Sequence, residues 1–228
     1  MGLVAIFLVG LVVALLVASP LFRSPRGFSD VSGDHPYQAS ILDLSDRSII
    51  SGYEDGTFRP EDPVIRQQFA KMIVKALDYP VSTDDSCPFV DVPSSLPGNY
   101  LDPSDREYPD HYVAVCATRG ITVGTTENTF APYDGITHQQ LITMLVRAVG
   151  LPDPPADYSP PFSADSFYPQ EHYLNARRAA HVGLLAGLEG VGPDYDFRAD
   201  STRGECAQLL YNLLVWLENG AGKLALDR

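Results

Sequence analysis

Apolar residues recur at helical spacing in three separate stretches of the chain. In each stretch they stand three or four positions apart, which is the period of one face of an α-helix. They are Phe69, Met72, Ile73 and Leu77, then Leu141, Leu145 and Val149, then Leu210, Leu213, Leu214 and Leu217. A shorter helical segment precedes each stretch, at residues 38–47, 112–119 and 172–182. The pattern therefore predicts three pairs of helices.

The segments between the helices repeat as well. The turn "GYEDGTFRP" returns as "GTTENTFAP" and, more loosely, as "GLEGVGPDYDFRA". An opening motif, "FSDV", "FVDV" or "FSAD", stands upstream of each turn. One two-helix unit cannot bury its own apolar face, so we expect the three units to pack on one another.

These landmarks divide the chain into segments. The three repeats occupy residues 28–81, 82–151, which carries a loop insertion, and 162–218. A proline-rich linker at 152–161 joins the second repeat to the third, and 219–228 form a tail. Residues 1–27 contain an uncharged apolar run, which predicts a signal peptide or an N-terminal membrane anchor. With either alternative we expect the body of the protein to be exported.

The repeated turn is better explained by structure than by calcium binding. An EF-hand-like loop needs carboxylates at alternating positions and a distal glutamate. Here Glu54 and Asp55 are adjacent, and the second copy offers only Glu127. The aromatic residue recurs in all three copies, as Phe58, Phe130 and Phe197. We therefore expect glycine to permit the turn and the phenylalanine to anchor it in the core.

The start of each second helix carries a capping pattern. Thr202 and Glu205 match a capping box in the third repeat, and Thr137 and Gln140 match its glutamine form in the second. The first repeat keeps the corresponding Gln68 but lacks the hydroxyl. The second helices are therefore expected to begin at these positions.

A basic residue stands at the first helical position of each second helix: Arg66, His138 and Arg203. A cation there opposes the helix dipole by roughly several tenths of a kcal/mol. Its recurrence indicates a site where the basic side chain and free backbone N–H groups hold an anion. Histidine carries less charge than arginine at pH 7, so we expect His138 to hold the anion less well and to gain affinity towards pH 6.

Composition and cysteine content narrow the function further. The formal net charge is -13, with 29 acidic and 16 basic residues, which disfavours nucleic acid as a partner. Of the three cysteines, Cys206 lies in an apolar helical pattern and is expected to be a core thiol. Cys87 and Cys116 remain as a candidate disulfide.

An enzymatic function has little support in the sequence. His111 stands near Cys116, but no glycine-rich nucleophile turn accompanies them, and no H-E-x-x-H motif occurs. We therefore predict a protein without catalytic activity, cofactor or metal.

The three repeats resemble the S-layer homology (SLH) domain over residues 28 to about 218. The motifs that carry the resemblance are "FSDV" and "FVDV", "SIISGYEDGTF", and the helix start "STRGE". The resemblance implies a mainly α fold, with three helix-turn-helix SLH repeats packed as a pseudo-threefold helical bundle. It also implies non-covalent attachment to the bacterial cell wall, through secondary cell-wall polysaccharide that is linked to peptidoglycan and often carries pyruvate ketals.

The resemblance also implies the residues that bind the ligand. The basic residue of each helix start would hold the ketal carboxylate, and an aromatic residue early in each first helix would stack on a sugar ring. The candidate ligand-binding residues are Arg66, His138, Arg203, Gln68, Gln140, Glu205, Thr137, Thr202, Tyr37, Tyr112, Tyr173 and Asp55. Since "IRQQ" and "THQQ" depart from the family's "TRAE", we expect one or two competent grooves rather than three. The alternative is a structural protein of the cell envelope that uses its repeats for contacts between proteins.

Overall fold

The computed structural model describes residues 27–95 and 104–219. Its helices are α1 (Gln38–Asp46), α2 (Arg66–Ala76), α3 (Asp110–Thr118), α4 (His138–Val149), α5 (Gln170–His181) and α6 (Arg203–Glu218). A short 3-10 turn, Ala164–Ser166, precedes α5. Three predicted pairs of helices are therefore present, and the predicted mainly α fold is confirmed.

The helices pair between repeats rather than within them. Helix α2 of the first repeat packs on α3 of the second, α4 of the second packs on α5 of the third, and α6 returns to α1. An ion pair of 2.6 Å between Arg47 and Glu218 joins the ends of α1 and α6. Each apolar face is thus buried by the next repeat, and the three repeats form one closed helical bundle.

A ring of three backbone hydrogen bonds lies at the centre of the bundle. The amide of Val64 donates to the carbonyl of Ser201 (3.0 Å), Ser201 donates to Ile136 (2.8 Å), and Ile136 donates to Val64 (2.8 Å). All three residues are fully buried. One residue from each repeat occupies the same place in the ring, so the ring marks a pseudo-threefold axis.

The recurrent aromatic residues anchor the turns as expected. Phe58, Phe130 and Phe197 are fully buried, one in each repeat. In the first repeat the carboxylate of Asp30, from the opening motif, accepts hydrogen bonds from the backbone N–H groups of Phe58 (2.7 Å) and Arg59 (2.6 Å). This carboxylate therefore ties the start of the repeat to its turn.

The second repeat uses the same clamp and the third does not. The carboxylate of Asp91 accepts from the backbone N–H groups of Phe130 (2.8 Å) and Ala131 (2.7 Å). In the third repeat Ala164 stands at the position of the aspartate, and the backbone N–H of Arg198 donates to Asp196 within the turn. The third turn is therefore held by bonds of its own.

The candidate disulfide is not formed. Cys87 and Cys116 are both free thiols. Cys116 is fully buried on α3, and its Sγ lies 3.7 Å from the carbonyl oxygen of Ala70 on α2, whereas the Sγ of Cys87 lies 3.9 Å from the carbonyl of Phe89. Cys116 thus packs into the contact between two repeats. The expectation that Cys206 is a core thiol is confirmed, since it is fully buried.

The proline-rich linker is tied to the third repeat. The guanidinium of Arg177 on α5 donates to the carbonyl oxygens of Pro155 (2.8 Å) and Tyr158 (2.9 Å). The predicted signal peptide or membrane anchor lies outside the described residues, apart from residue 27. Within residues 27–95 and 104–219, no helix has both the length and the apolar character needed to cross a bilayer.

Candidate functional site

Each second helix begins against the turn of a neighbouring repeat. At each helix start the first two backbone N–H groups donate to carbonyl oxygens of that turn. The pairs are Arg66 with Asp134 and Gln67 with Pro132, His138 with Ala199 and Gln139 with Phe197, and Arg203 with Asp62 and Gly204 with Pro60. The expectation that these N–H groups are free to hold an anion is therefore wrong, because carbonyl groups already satisfy them.

The basic side chains of the helix starts take part in the same contact. The Nε of Arg66 donates to the carbonyl of Phe130 (2.7 Å), and the Nε of Arg203 donates to the carbonyl of Phe58 (2.8 Å). Each guanidinium also lies over the ring of the same phenylalanine, at 4.6 and 4.4 Å from its centroid. These arginines therefore position a turn as well as carry a charge.

A groove of about 560 Å³, groove A, lies between the first and second repeats beside Arg203. It is lined by Ile49, Ile50, Ser51, Phe58, Gln68, Lys71, Met72, Lys75, Ser104, Asp105, Tyr108 and Arg203. Lys71 forms an ion pair of 2.7 Å with Asp105, and Arg203 Nη2 donates to the carbonyl of Ser51 (2.9 Å). Three basic side chains and one carboxylate thus line groove A.

Groove B, of about 280 Å³, occupies the equivalent place between the second and third repeats. It is lined by Arg66, Thr122, Val123, Gly124, Thr125, Gln140, Thr143, Met144, Arg147, Pro169, Glu171 and His172. Arg147 forms an ion pair of 2.5 Å with Glu171. Burial lowers the pKa of His172, whose Nδ1 lies 2.6 Å from the hydroxyl of Thr143. Groove B therefore carries two basic side chains and one carboxylate, and it is less cationic than groove A.

Arg66 lies at the floor of groove B. Its side chain is 4% exposed, whereas that of Arg203 in groove A is half-buried. Burial lowers the pKa of the Arg66 guanidinium, and the carboxylates of Asp134 and Asp91 oppose that change. The cation of groove B is therefore less accessible than the cation of groove A.

The third equivalent place, pocket C, is filled by the chain's own side chains. His138 Nε2 lies 3.0 Å from a carboxylate oxygen of Glu205, and His138 Nδ1 lies 3.2 Å from the carbonyl of Asp196. The hydroxyl of Tyr195 donates to the other oxygen of Glu205 (3.3 Å), and its ring packs edge-on against the imidazole. Burial raises the pKa of Glu205, but the bonds from His138 and Thr202 outweigh burial and hold that pKa below its usual value.

A buried tyrosine closes pocket C from the other side. Tyr37 is 5% exposed, and its hydroxyl oxygen accepts from the backbone N–H of Glu189 (3.3 Å). A Cβ added at Gly204 would lie 2.5 Å from the Tyr37 ring, so glycine at this helix position makes room for the ring. Gln139, at the same position of α4, instead holds the backbone of Tyr168 with both of its amide atoms.

The three tyrosines proposed for sugar stacking do not line the grooves. Tyr37 is buried beside pocket C, and Tyr112 is 9% exposed, with its hydroxyl donating to Asp105 (2.9 Å). Tyr173 is half-buried against Phe162 and Phe167. The ring that lines groove A is instead that of Tyr108. Tyr168 is 76% exposed and precedes Pro169, which lines groove B.

The remaining predicted residues cap helices or support a turn. The hydroxyls of Thr137 and Thr202 accept from the backbone N–H of Gln140 and Glu205, and the side chains of Gln68, Gln140 and Glu205 return a bond to the N-cap backbone. The predicted capping boxes of the second and third repeats are therefore confirmed. Asp55 is exposed and accepts from Thr57 and Arg59, and these bonds lower its pKa to about 2. The structure brings Arg203 together with Gln68, and Arg66 together with Gln140.

Sequence reasoning missed several residues that line the grooves. Lys75 and Arg147 stand at the tenth position of α2 and α4, facing grooves A and B. The sequence does carry a signal for them, because the first and second repeats both have a basic residue at this position, whereas the third has Asn212. Tyr108 and Tyr168 share a signal too: each precedes a proline at the start of a first helix.

Comparison with known proteins gives the same family. The family model of the S-layer homology domain matches residues 27–70 and 105–142. An endoglucanase of Bacillus sp. (strain KSM-635) is 30% identical over 82% of this chain and 18% of that protein. The S-layer protein EA1 of Bacillus anthracis is 28% identical over 60% of the chain and 14% of that protein, and an S-layer protein of Bacillus licheniformis is 27% identical over 59% and 14%.

The chain thus spans 14 to 18% of the length of these relatives. A match to so small a part of the endoglucanase assigns no catalysis to this chain. The S-layer proteins among the relatives support a location at the cell surface. The two matched segments, together with the repeats and their closed helical bundle, show that the chain carries S-layer homology domains over residues 27–70 and 105–142.

Proposed function

We propose that this protein attaches non-covalently to the bacterial cell wall by binding an anionic secondary cell-wall polysaccharide, with pyruvate ketals as candidate anionic groups. The observation that carries the proposal is groove A, where Lys71, Lys75 and Arg203 face one carboxylate. The chain as a whole has a net charge of -13. A cationic groove in so acidic a protein would select anionic ligands locally.

The two grooves also offer the contacts that a polysaccharide needs. A guanidinium forms charge-assisted hydrogen bonds with a carboxylate. The ring of Tyr108 in groove A, and that of Tyr168 beside the groove B residue Pro169, are suited to contact with the apolar face of a sugar ring. Tyr108 also lies under a cation, since the Nζ of Lys71 is 5.0 Å from its ring centroid. We therefore assign the stacking role to these two tyrosines in place of Tyr37, Tyr112 and Tyr173.

Co-sedimentation of the 228-residue chain with purified sacculi tests the proposal. We expect the chain to pellet with intact sacculi and to remain in the supernatant after acid has removed the secondary polymer. Lys75→Gln should weaken binding by about tenfold, the effect of losing roughly 1.4 kcal/mol of a charged contact. A centrifugation without sacculi corrects for self-association.

Arg178→Gln is the matched control for Lys75→Gln. It removes the same charge from α5, where Arg178 pairs with Asp153 away from the residues that line the grooves. We expect its binding to equal that of the parent protein. Equal losses in both variants would show that only net charge matters, and an absence of binding to intact sacculi would refute wall attachment.

The alternative function is assembly with other envelope proteins through the repeats. It is motivated by the S-layer proteins among the relatives. Sedimentation velocity of the chain without sacculi would show concentration-dependent association in that case. A monomer that still binds sacculi would leave wall attachment as the function.

A further inference from the structure

A further cavity, cleft D, continues groove A beyond the end of α2. Cleft D has a volume of about 290 Å³ and shares Ile49 and Lys75 with groove A, so the two cavities are neighbours. Groove A follows one face of α2 from Gln68 to Lys75, a distance of about 10 Å at 1.5 Å per residue. Cleft D extends from Lys75 to Asp78 and Tyr79. Groove A and cleft D therefore form one elongated site.

Two residues that line cleft D have an unusual backbone conformation. Ser48, after α1, has a φ of 59°, and Asp78, after α2, has a φ of 51°. Residues with a side chain rarely adopt these left-handed angles, because the Cβ atom then lies too close to the following carbonyl oxygen. Glycine has no Cβ and avoids that cost. A serine and an aspartate at these positions therefore need an explanation.

The other repeats have glycine at the corresponding positions. Gly120 and Gly183 correspond to Ser48, and Gly150 corresponds to Asp78, with φ values of 68°, 82° and 62°. The correspondence is exact in the backbone, because the amide that follows each of these five residues donates to the carbonyl five positions before it. The first repeat thus places polar side chains where the glycines of the other repeats offer none.

No polar contact inside the fold accounts for the two side chains. Both Ser48 and Asp78 are exposed, and within residues 27–95 and 104–219 neither side chain has a hydrogen bond or an ion pair. Residues held in an unfavourable backbone conformation are concentrated at binding and active sites. The two residues therefore indicate that cleft D receives a ligand.

The polar groups of cleft D are suited to an uncharged ligand that is rich in hydroxyl groups. Arg47 is already paired with Asp43 (2.8 Å) and Glu218 (2.6 Å), and the carboxylate of Asp78 would repel an anion. The hydroxyl of Ser48 can both donate and accept a hydrogen bond, and a carboxylate accepts several. These groups match the hydroxyls of a sugar residue.

We propose that cleft D binds an uncharged sugar residue of the wall polymer, next to the anionic group that groove A holds. Ser48 and Asp78 contact its hydroxyls, Tyr79 offers an aromatic ring, and Lys75 lies at the boundary between the two cavities. This inference rests on the proposed function and adds the composition of the ligand to it. The chain then recognises an acidic residue and a neutral neighbour rather than an isolated negative charge.

Glycine substitutions separate binding from folding. Ser48→Gly and Asp78→Gly remove the two side chains and suit the left-handed backbone, so each variant should unfold at the parent temperature or up to a few degrees above it. Binding of the 228-residue chain to sacculi should nevertheless fall about threefold to tenfold in each variant, the effect of losing one or two hydrogen bonds. A purely structural role would not weaken binding in a variant of equal or greater stability.

Ala131→Gly is the matched control. Ala131 also has a left-handed φ, of 56°, and is not among the residues that line groove A or cleft D. Its variant should show a similar change in thermal stability and bind sacculi as the parent protein does. Equal binding by the parent, Ser48→Gly and Asp78→Gly would overturn the inference and leave wall attachment standing.

NMR titration of the parent chain with small sugars tests cleft D without the wall. The probes are methyl glucoside, methyl galactoside and N-acetylglucosamine, with sodium glucuronate as the anionic comparison. We expect the uncharged sugars to shift the amide signals of Ser48 and Asp78, and glucuronate to shift those of Lys75 and Arg203. Shifts at Ser48 and Asp78 with an uncharged sugar would support the inference even if sacculi did not bind. No shift there with any uncharged sugar, or larger shifts there with glucuronate, would contradict it.

Discussion

Grooves A and B and pocket C share one backbone framework, but the two grooves are open and pocket C is filled. The helix starts of all three repeats donate to a neighbouring turn, and one residue of each repeat enters the central ring of hydrogen bonds. Two of the three places are open and cationic, and the third is filled by His138, Glu205, Tyr195 and Tyr37. The main chain therefore supports the bundle, and a few side chains decide whether a place is open or filled.

The order of tyrosine and proline before the first helix of each repeat accounts for part of the difference between the grooves and pocket C. Tyrosine precedes proline in the second and third repeats, at Tyr108-Pro109 and Tyr168-Pro169, and follows it in the first, at Pro36-Tyr37. Tyr168 is 76% exposed, whereas Tyr37 is 5% exposed. The reversed order thus accompanies a change from an exposed aromatic ring to a buried one.

The largest effect is expected from removing the buried ring. Tyr37→Ala should lower the free energy of unfolding by about 3 kcal/mol, because it leaves a cavity between α1 and α6. Tyr168→Ala, at an exposed position, should change that free energy by less than about 0.5 kcal/mol. Urea denaturation measures both values. A Tyr168→Ala loss as large as that of Tyr37→Ala would show that the two rings are equally structural.

Much of the bundle could be predicted from local patterns, whereas the site could not. The recurrence of Phe58, Phe130 and Phe197 identified the anchors of the turns, because a buried aromatic residue is required in each repeat. The same pattern does not show which repeat covers which, since the apolar faces are alike. For that reason the structure is needed to show which helices pair between repeats. It is also needed to show which carbonyl groups accept from the N–H groups of the helix starts.

The next prediction concerns the glycine that admits the Tyr37 ring. Replacing glycine by alanine inside a helix usually stabilises it by about 1 kcal/mol. At Gly204 the new Cβ would lie 2.5 Å from the Tyr37 ring and 3.3 Å from the carbonyl of Pro60. We expect the steric conflict to prevail, so that Gly204→Ala lowers the free energy of unfolding by about 2 kcal/mol.

Gly33→Ala is the matched control, because its new Cβ would meet only the end of the Gln38 side chain, at 3.9 Å. Its unfolding free energy should stay within about 0.5 kcal/mol of the parent value. A stabilised Gly204→Ala variant would mean that the Tyr37 ring moves aside at little cost.

In the aspartate clamp, the carboxylate of Asp30 or Asp91 accepts hydrogen bonds from two backbone N–H groups of the turn. The clamp is present in the first two repeats but not in the third, and removing it should have a smaller effect on stability than Gly204→Ala. Asp91→Ala removes two hydrogen bonds to a carboxylate and should cost about 1–2 kcal/mol of unfolding free energy at pH 7. Asp165→Ala, the control in the third repeat, replaces an exposed residue and should cost less than about 0.5 kcal/mol. Chemical denaturation of the two variants measures both free energies of unfolding.

The stability that the aspartate clamp contributes should also depend on pH. Burial would raise the pKa values of Asp30 and Asp91, but the backbone N–H groups that they accept from outweigh burial and hold both values below the ordinary 3.8. A lowered carboxyl pKa contributes stability above the unfolded value and loses it as the pH falls through the folded value. Stability should therefore fall below about pH 4, and less steeply in Asp91→Ala than in the parent protein. Parallel acid unfolding curves for the two proteins would contradict this.

The smallest effect concerns the central ring, where the third repeat again departs from the other two. Ser201 stands where the others have Val64 and Ile136, and its Oγ is buried without a hydrogen-bond partner within the part of the chain that the structure describes. Ser201→Ala removes that hydroxyl and leaves the backbone bonds intact, so it should raise the free energy of unfolding by about 1 kcal/mol. Val64→Ala, which instead removes buried apolar groups, should lower it. A Ser201→Ala variant less stable than the parent would show that the hydroxyl is bonded in solution and that all three ring positions are equally well satisfied.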